Sequence, residues 1–106
     1  MRVYIAGPIN GYPDHNRAAF LSAHARLESL GYDPVNPQDI PNDHFGPCLG
    51  DEVNHSSHRY GCFMVPDLKA LLDCGGYTLL DGWEMSRGAT VEEAVARICG
   101  KTYIAI

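Results

Sequence analysis

The sequence predicts an α/β domain: a Rossmann-like or flavodoxin-like parallel sheet of about four to five strands, with helices on both faces. Three observations carry this. Short β-branched and aromatic runs alternate with longer stretches of helical periodicity. Strands separated by helices require right-handed crossovers, and hence a parallel sheet covered on both sides. The 106 residues hold one small core, and neither an internal repeat nor a linker divides them. The expectation is a single domain over residues 1–106.

The elements follow in order. Arg2 to Ala6 is a buried strand. Gly7-Pro8-Ile9-Asn10-Gly11-Tyr12-Pro13 is a loop. Asp14 is the expected cap of a helix reaching Leu30, with Phe20, Ala23, Leu27 and Leu30 at helical spacing and Gly31 as the stop. Tyr32 to Val35 is a second strand, closed by Asn36-Pro37. From Gln38 to about His58 periodicity is lost among Pro, Gly, Asn, Asp and His, as in a lid or binding loop. Part of 51–60 has helical character. Pro66 then either opens a helix to Cys74 in its first turn or kinks a longer one. Gly75-Gly76 ends it, and Tyr77 to Leu80, a helix 89–99 and a last strand Lys101 to Ile106 complete the chain.

The working part is expected at Leu80–Glu92. Asp81-Gly82 is a turn, Ser86 an N-cap, and Val91, Ala94, Val95 and Ile98 give the helix its apolar face. Glu92 stands four residues after Gly88 on one helix face. Helical side chains lean toward the N-terminus, so the Glu92 carboxylate projects over a position with no side chain. Thr90-x-x-Glu93 offers a rival capping box that would start the helix later. The loop Gly7–Gly11 lies at a strand's carboxyl end, where ligands of parallel sheets bind, but it is neither GxGxxG nor a Walker loop. Trp83 suits either base stacking or the edge of the core. Asp67 in a helix's first turn is adequately explained by the helix dipole.

Composition narrows the function classes. Eight basic and thirteen acidic residues give a net charge of −5, which argues against a nucleic-acid polymer. A single phosphate on helix amides remains compatible. His44, His55 and His58 lack zinc-protease spacing and read as loop residues, and Cys48, Cys62, Cys74 and Cys99 form no CxxC pair. No metal or cofactor is expected. No stretch reaches transmembrane length and the start is too short for a signal segment, so a cytoplasmic protein with reduced thiols is expected.

Several stretches together resemble the nucleoside 2-deoxyribosyltransferase-like superfamily: Tyr4-Ile5-Ala6-Gly7-Pro8, Asn16-x-x-x-Phe20, Gly31-Tyr32-x-x-Val35-Asn36-Pro37, Asp67-Leu68-x-x-Leu71 and Gly82-Trp83-Glu84-x-Ser86-Arg87-Gly88-Ala89-x-x-Glu92. The resemblance covers nearly the whole chain and is nearest to a small branch common in phage genomes. The superfamily includes 2′-deoxynucleoside 5′-monophosphate N-glycosidases. The resemblance implies a Rossmann-like fold, a homodimer or larger assembly, and a nucleoside or nucleotide substrate. It implies that Glu92 is the nucleophile, that the Tyr4 hydroxyl lies near it, and that Asp67 positions the sugar or assists the leaving base. Ser86 and Gly88 would hold a 5′-phosphate, with Gly7, Pro8, Ile9, Asn10 and Trp83 contributing to binding. Asn10 departs from the arginine of the monophosphate glycosidases. Those enzymes also carry a C-terminal serine donated to the neighbouring subunit, which is not expected of a sequence ending at Ile106.

The expected activity is cleavage or transfer at the N-glycosidic bond of a 2′-deoxynucleoside or its 5′-monophosphate. The alternatives are a non-catalytic module binding a nucleotide or nucleotide-derived signal, and a structural partner using residues 38–58 as its contact surface.

Overall fold

A computed structural model describes residues 1–40 and 60–106. Strands β1 (Arg2–Ala6), β2 (Asp33–Val35), β3 (Gly76–Leu79) and β4 (Thr102–Tyr103) form one parallel sheet in the order β2-β1-β3-β4. Among the described residues the α-helices are α1 (Arg17–Ser29), α2 (Tyr60–Leu72) and α3 (Arg87–Ile98). The expected α/β architecture is the one observed, with four strands in a flavodoxin-like order.

Period-2 alternation along β1 builds the two faces. Val3 and Ile5 pack with Phe20, Ala23 and Leu27 of α1. Tyr4 and Ala6 face the other way, into a cluster with Leu71 of α2, Tyr77 of β3 and Ala96 of α3. All four of these β1 residues are buried, as a central parallel strand requires. Tyr4 sits mid-sheet, opposite Val35 on one side and Tyr77 on the other.

The elements depart from the expected ones at Asp14 and in the last strand, and decide between stated alternatives at Pro66 and Ser86. Asp14 does not cap α1: Asp14, His15 and Asn16 all have positive φ (49°, 55° and 60°) in a turn, and the helix begins at Arg17. Pro66 lies inside α2, so the longer-helix alternative holds and Asp67 is a mid-helix residue, beyond the reach of the first-turn dipole argument. Ser86, not Thr90, caps α3: its Oγ accepts from the Ala89 amide at 3.2 Å, while Glu93 pairs with Arg97. The last strand is only Thr102–Tyr103, an edge strand with a single neighbour. The lid expected over 38–58 falls outside the described residues from position 41 onward, as do His44, Cys48, His55 and His58. Among the described residues no helix is long and apolar enough to cross a membrane, and Cys74 and Cys99 are free thiols.

Candidate active site

After β1 the chain crosses to one side of the sheet to make β2, then returns to the other side for β3. That reversal opens a crevice beyond the carboxyl ends of β1 and β3. A cleft of about 810 Å³ occupies it, between the loop after β1, the turn after β2, one side of α2 and the start of α3. This is ample room for a nucleotide-sized ligand.

Glu92 lies on the cleft wall and is only 6% exposed. Behind it, fully buried Tyr4 donates its hydroxyl to Glu92 Oε2 at 2.5 Å. Ser86 caps the helix and so sets the register that turns Glu92 inward. Ala89 and Ala96, at spacings of three and four from Glu92, are buried on the same face. Asp67, half-buried on α2, also lines the cleft.

Two carboxyls and a phenol in so little water perturb one another. Burial pushes Glu92 up to about 8; the Tyr4 hydroxyl opposes that shift, and the charge of Asp67 adds to it. Burial alone pushes Asp67 up to about 7. Tyr4 is driven well above the ordinary phenol range by burial and by the charges of Glu92 and Asp67, so it remains a proton donor in the hydrogen bond. Asp67, the lower of the two, loses its proton first, and Glu92 second. Between the steps the cleft holds one carboxylate and one carboxylic acid, the combination that glycosidic chemistry uses.

The start of α3 supplies the polar end of the cleft. Ser86 and Gly88 both line it. A helix start leaves its first amides without intrahelical acceptors, which suits an anionic group. Opposite, Gly7 approaches β3's exit so closely that a Cβ there would stand 2.7 Å from the Leu80 Cβ. Gly82 has φ +85° and lies under the Tyr12 hydroxyl, so the loops after β1 and β3 pack together over small residues.

The structure brings together nearly every candidate named from sequence. Gly7, Pro8, Ile9 and Asn10 line one wall; Asp67, Ser86, Gly88 and Glu92 line the others. Tyr4 stands behind Glu92 and is hydrogen-bonded to it. Trp83 is the exception: it is half-buried in a short turn, Trp83–Met85, and does not line the cleft. Its neighbour Met85, 89% exposed, does. Sequence reasoning missed Tyr12, Arg17, Gln38 and Phe63, which also line the cleft. Tyr12 could have been found, as an aromatic residue in a loop at a strand's carboxyl end. The others owe their position to where α1, the turn after β2 and α2 begin, which no local pattern announced. Among the described residues no group of three His, Cys, Asp or Glu side chains is placed to hold a metal ion.

A comparison with curated proteins finds no match. Residues 1–105 match the family described as DUF4406, a domain of unknown function, and the chain belongs to that family.

Proposed function

We propose that this protein cleaves or transfers the N-glycosidic bond of a 2′-deoxynucleoside or its 5′-monophosphate, as a member of the nucleoside 2-deoxyribosyltransferase-like superfamily. The observation that carries the reading is the Tyr4–Glu92 pair, 2.5 Å apart on the wall of a nucleotide-sized cleft that Asp67 also lines.

In this reading a Glu92 carboxylate oxygen attacks C1′ of the deoxyribose. The C1′–N bond breaks, and its electron pair goes to the base nitrogen. The reactive form is the minor one in which Glu92 is ionised while Asp67 keeps its proton, and Asp67 gives that proton to the base. The oxocarbenium-like state is stabilised by the carboxylate and collapses to a glycosyl–Glu92 ester. Water or a second base then takes the glycosyl group and releases Glu92. Tyr4 holds Oε2 through its hydroxyl and leaves the other oxygen to react. The sugar phosphate, where present, sits against Ser86 and Gly88. A cytoplasmic homodimer or larger assembly acting on small molecules belongs to the same proposal.

The test is incubation of the purified protein with a panel of 2′-deoxynucleosides and their 5′-monophosphates, with and without a second base, and chromatography for free base. Base release supports the reading. An enzyme inert on the whole panel that still binds a nucleotide in calorimetry favours the binding module instead.

A further inference from the structure

The left-handed turn at Asp14–Asn16 is the most unusual backbone in the described chain, and its neighbours border the cleft. Asp14, His15 and Arg17 line the cleft; Asn16 does not. We propose that Asn16 is a positioning residue, which sets the cleft wall formed by Pro8, Ile9 and Asn10.

Asn16 occupies the N-cap position of α1, where an asparagine side chain ordinarily accepts from a helix amide. Here it makes no cap hydrogen bond. Its Nδ2 instead donates to the Pro8 carbonyl at 2.9 Å. A carbonyl can only accept, so the amide orientation is settled by its partner. Asn16 thereby ties its own turn to the loop that carries residues 8–10.

The chain reaches this arrangement at a conformational cost. Positive φ is disfavoured for L-residues, and asparagine or aspartate normally visits that region singly. Three in succession persist only where the surroundings hold them. Two tethers do so. Asn16 ties the turn to the loop after β1. Gln38, in the turn after β2, donates Nε2 to the His15 carbonyl at 2.6 Å, and its own amide is fixed at 3.0 Å to Asn36 Oδ1. Asn36 is itself buried. The turn thus braces two loops at the carboxyl edge of the sheet, and its product is the placement of Pro8–Asn10 across the cleft from Glu92.

The glycosidic reading is needed only for the activity half of the test. Glycine accepts positive φ freely, so Asn16→Gly removes the tether without opposing the backbone shape. Asn16→Asp keeps the shape but sets an oxygen against the Pro8 carbonyl. Backbone order parameters from nitrogen-15 relaxation are expected to fall at Ile9 and Asn10 in both variants, from about 0.85 toward 0.6 or below. The thermal midpoint of Asn16→Gly should stay within a few degrees of wild type. On whichever deoxynucleoside or monophosphate of the panel the wild type cleaves, kcat should fall about tenfold or more, with KM changed less. Unchanged order parameters at Ile9 and Asn10 overturn the proposal, as does a loss of kcat only in proportion to a loss of folded protein. A wild type that cleaves nothing defeats the glycosidic reading alone, and the order parameters still decide the tether.

Discussion

The Tyr4 hydroxyl and Glu92 Oε2 meet at 2.5 Å although 88 residues separate them in sequence. The contact joins the central strand to α3, with the phenol fully enclosed and the carboxyl opening on the cleft. A buried carboxyl given one strong donor on one oxygen is oriented, and its other oxygen is left for a ligand.

This pairing predicts a pH profile. Below the first step of the Glu92–Asp67 pair both carboxyls are protonated and no nucleophile exists. Above the second step both are ionised and no acid exists. With the groups pushed up to about 8 and about 7, kcat/KM should follow a bell with its maximum between pH 7 and pH 8. Tyr4→Phe removes the donor that favours ionised Glu92, the carboxyl with the higher value of the two, so the alkaline limb should move to higher pH. The maximal rate should fall by roughly ten- to a hundredfold, the effect of a lost catalytic-site hydrogen bond. An unshifted alkaline limb in Tyr4→Phe would show that the phenol does not govern the carboxyl.

The same burial makes the site costly to the fold. In the unfolded chain both carboxyls lose their protons near pH 4, whereas in the folded chain they keep them until about 7 and about 8. The folded state therefore binds more protons in this window, and stability falls as pH rises from about 4 to about 8. Glu92→Gln cannot ionise and should be the more stable protein at pH 8, by on the order of a few kcal/mol, with little difference near pH 4. Thermal midpoints across that range measure it. A pH-independent difference would mean that Glu92 is not desolvated.

Positive φ at His15 is tested by stability as well. His15→Gly relieves a conformation that costs an L-residue about 1–2 kcal/mol, against about 0.5–1 kcal/mol of added chain entropy in the unfolded state. Urea denaturation should show no loss and up to about 1 kcal/mol of gain. A loss greater than about 1 kcal/mol would place His15 outside the left-handed region.

The fold and most of the site were readable because local chemistry and tertiary structure agree there. The apolar run of β1 ends at Gly7, which packs on Leu80. Ser86, Gly88 and Glu92 fall in register because a serine cap fixes where α3 starts. Reading failed where distant contacts override local preference. Asp14 looks like a cap, but its turn is held left-handed by bonds to Pro8 and Gln38 that sequence spacing does not reveal. Pro66 suits a helix start and a longer helix equally in sequence, and only packing selects the longer one, which places Asp67 mid-helix. Trp83 and Met85 share one short turn, and packing alone decides which of them reaches the cleft.

The central claim is that Glu92 carries the chemistry, and its neighbour provides the control. Glu92 faces the cleft, while Glu93 pairs with Arg97 at 3.2 Å in an i, i+4 contact worth a few tenths of a kcal/mol. The deciding measurement is the rate of free-base release from the deoxynucleoside and monophosphate panel by wild type, Glu92→Gln and Glu93→Gln at equal folded fraction. The account predicts release by wild type, near-normal release by Glu93→Gln, and a fall of several orders of magnitude in Glu92→Gln. Equal release by all three proteins would contradict it.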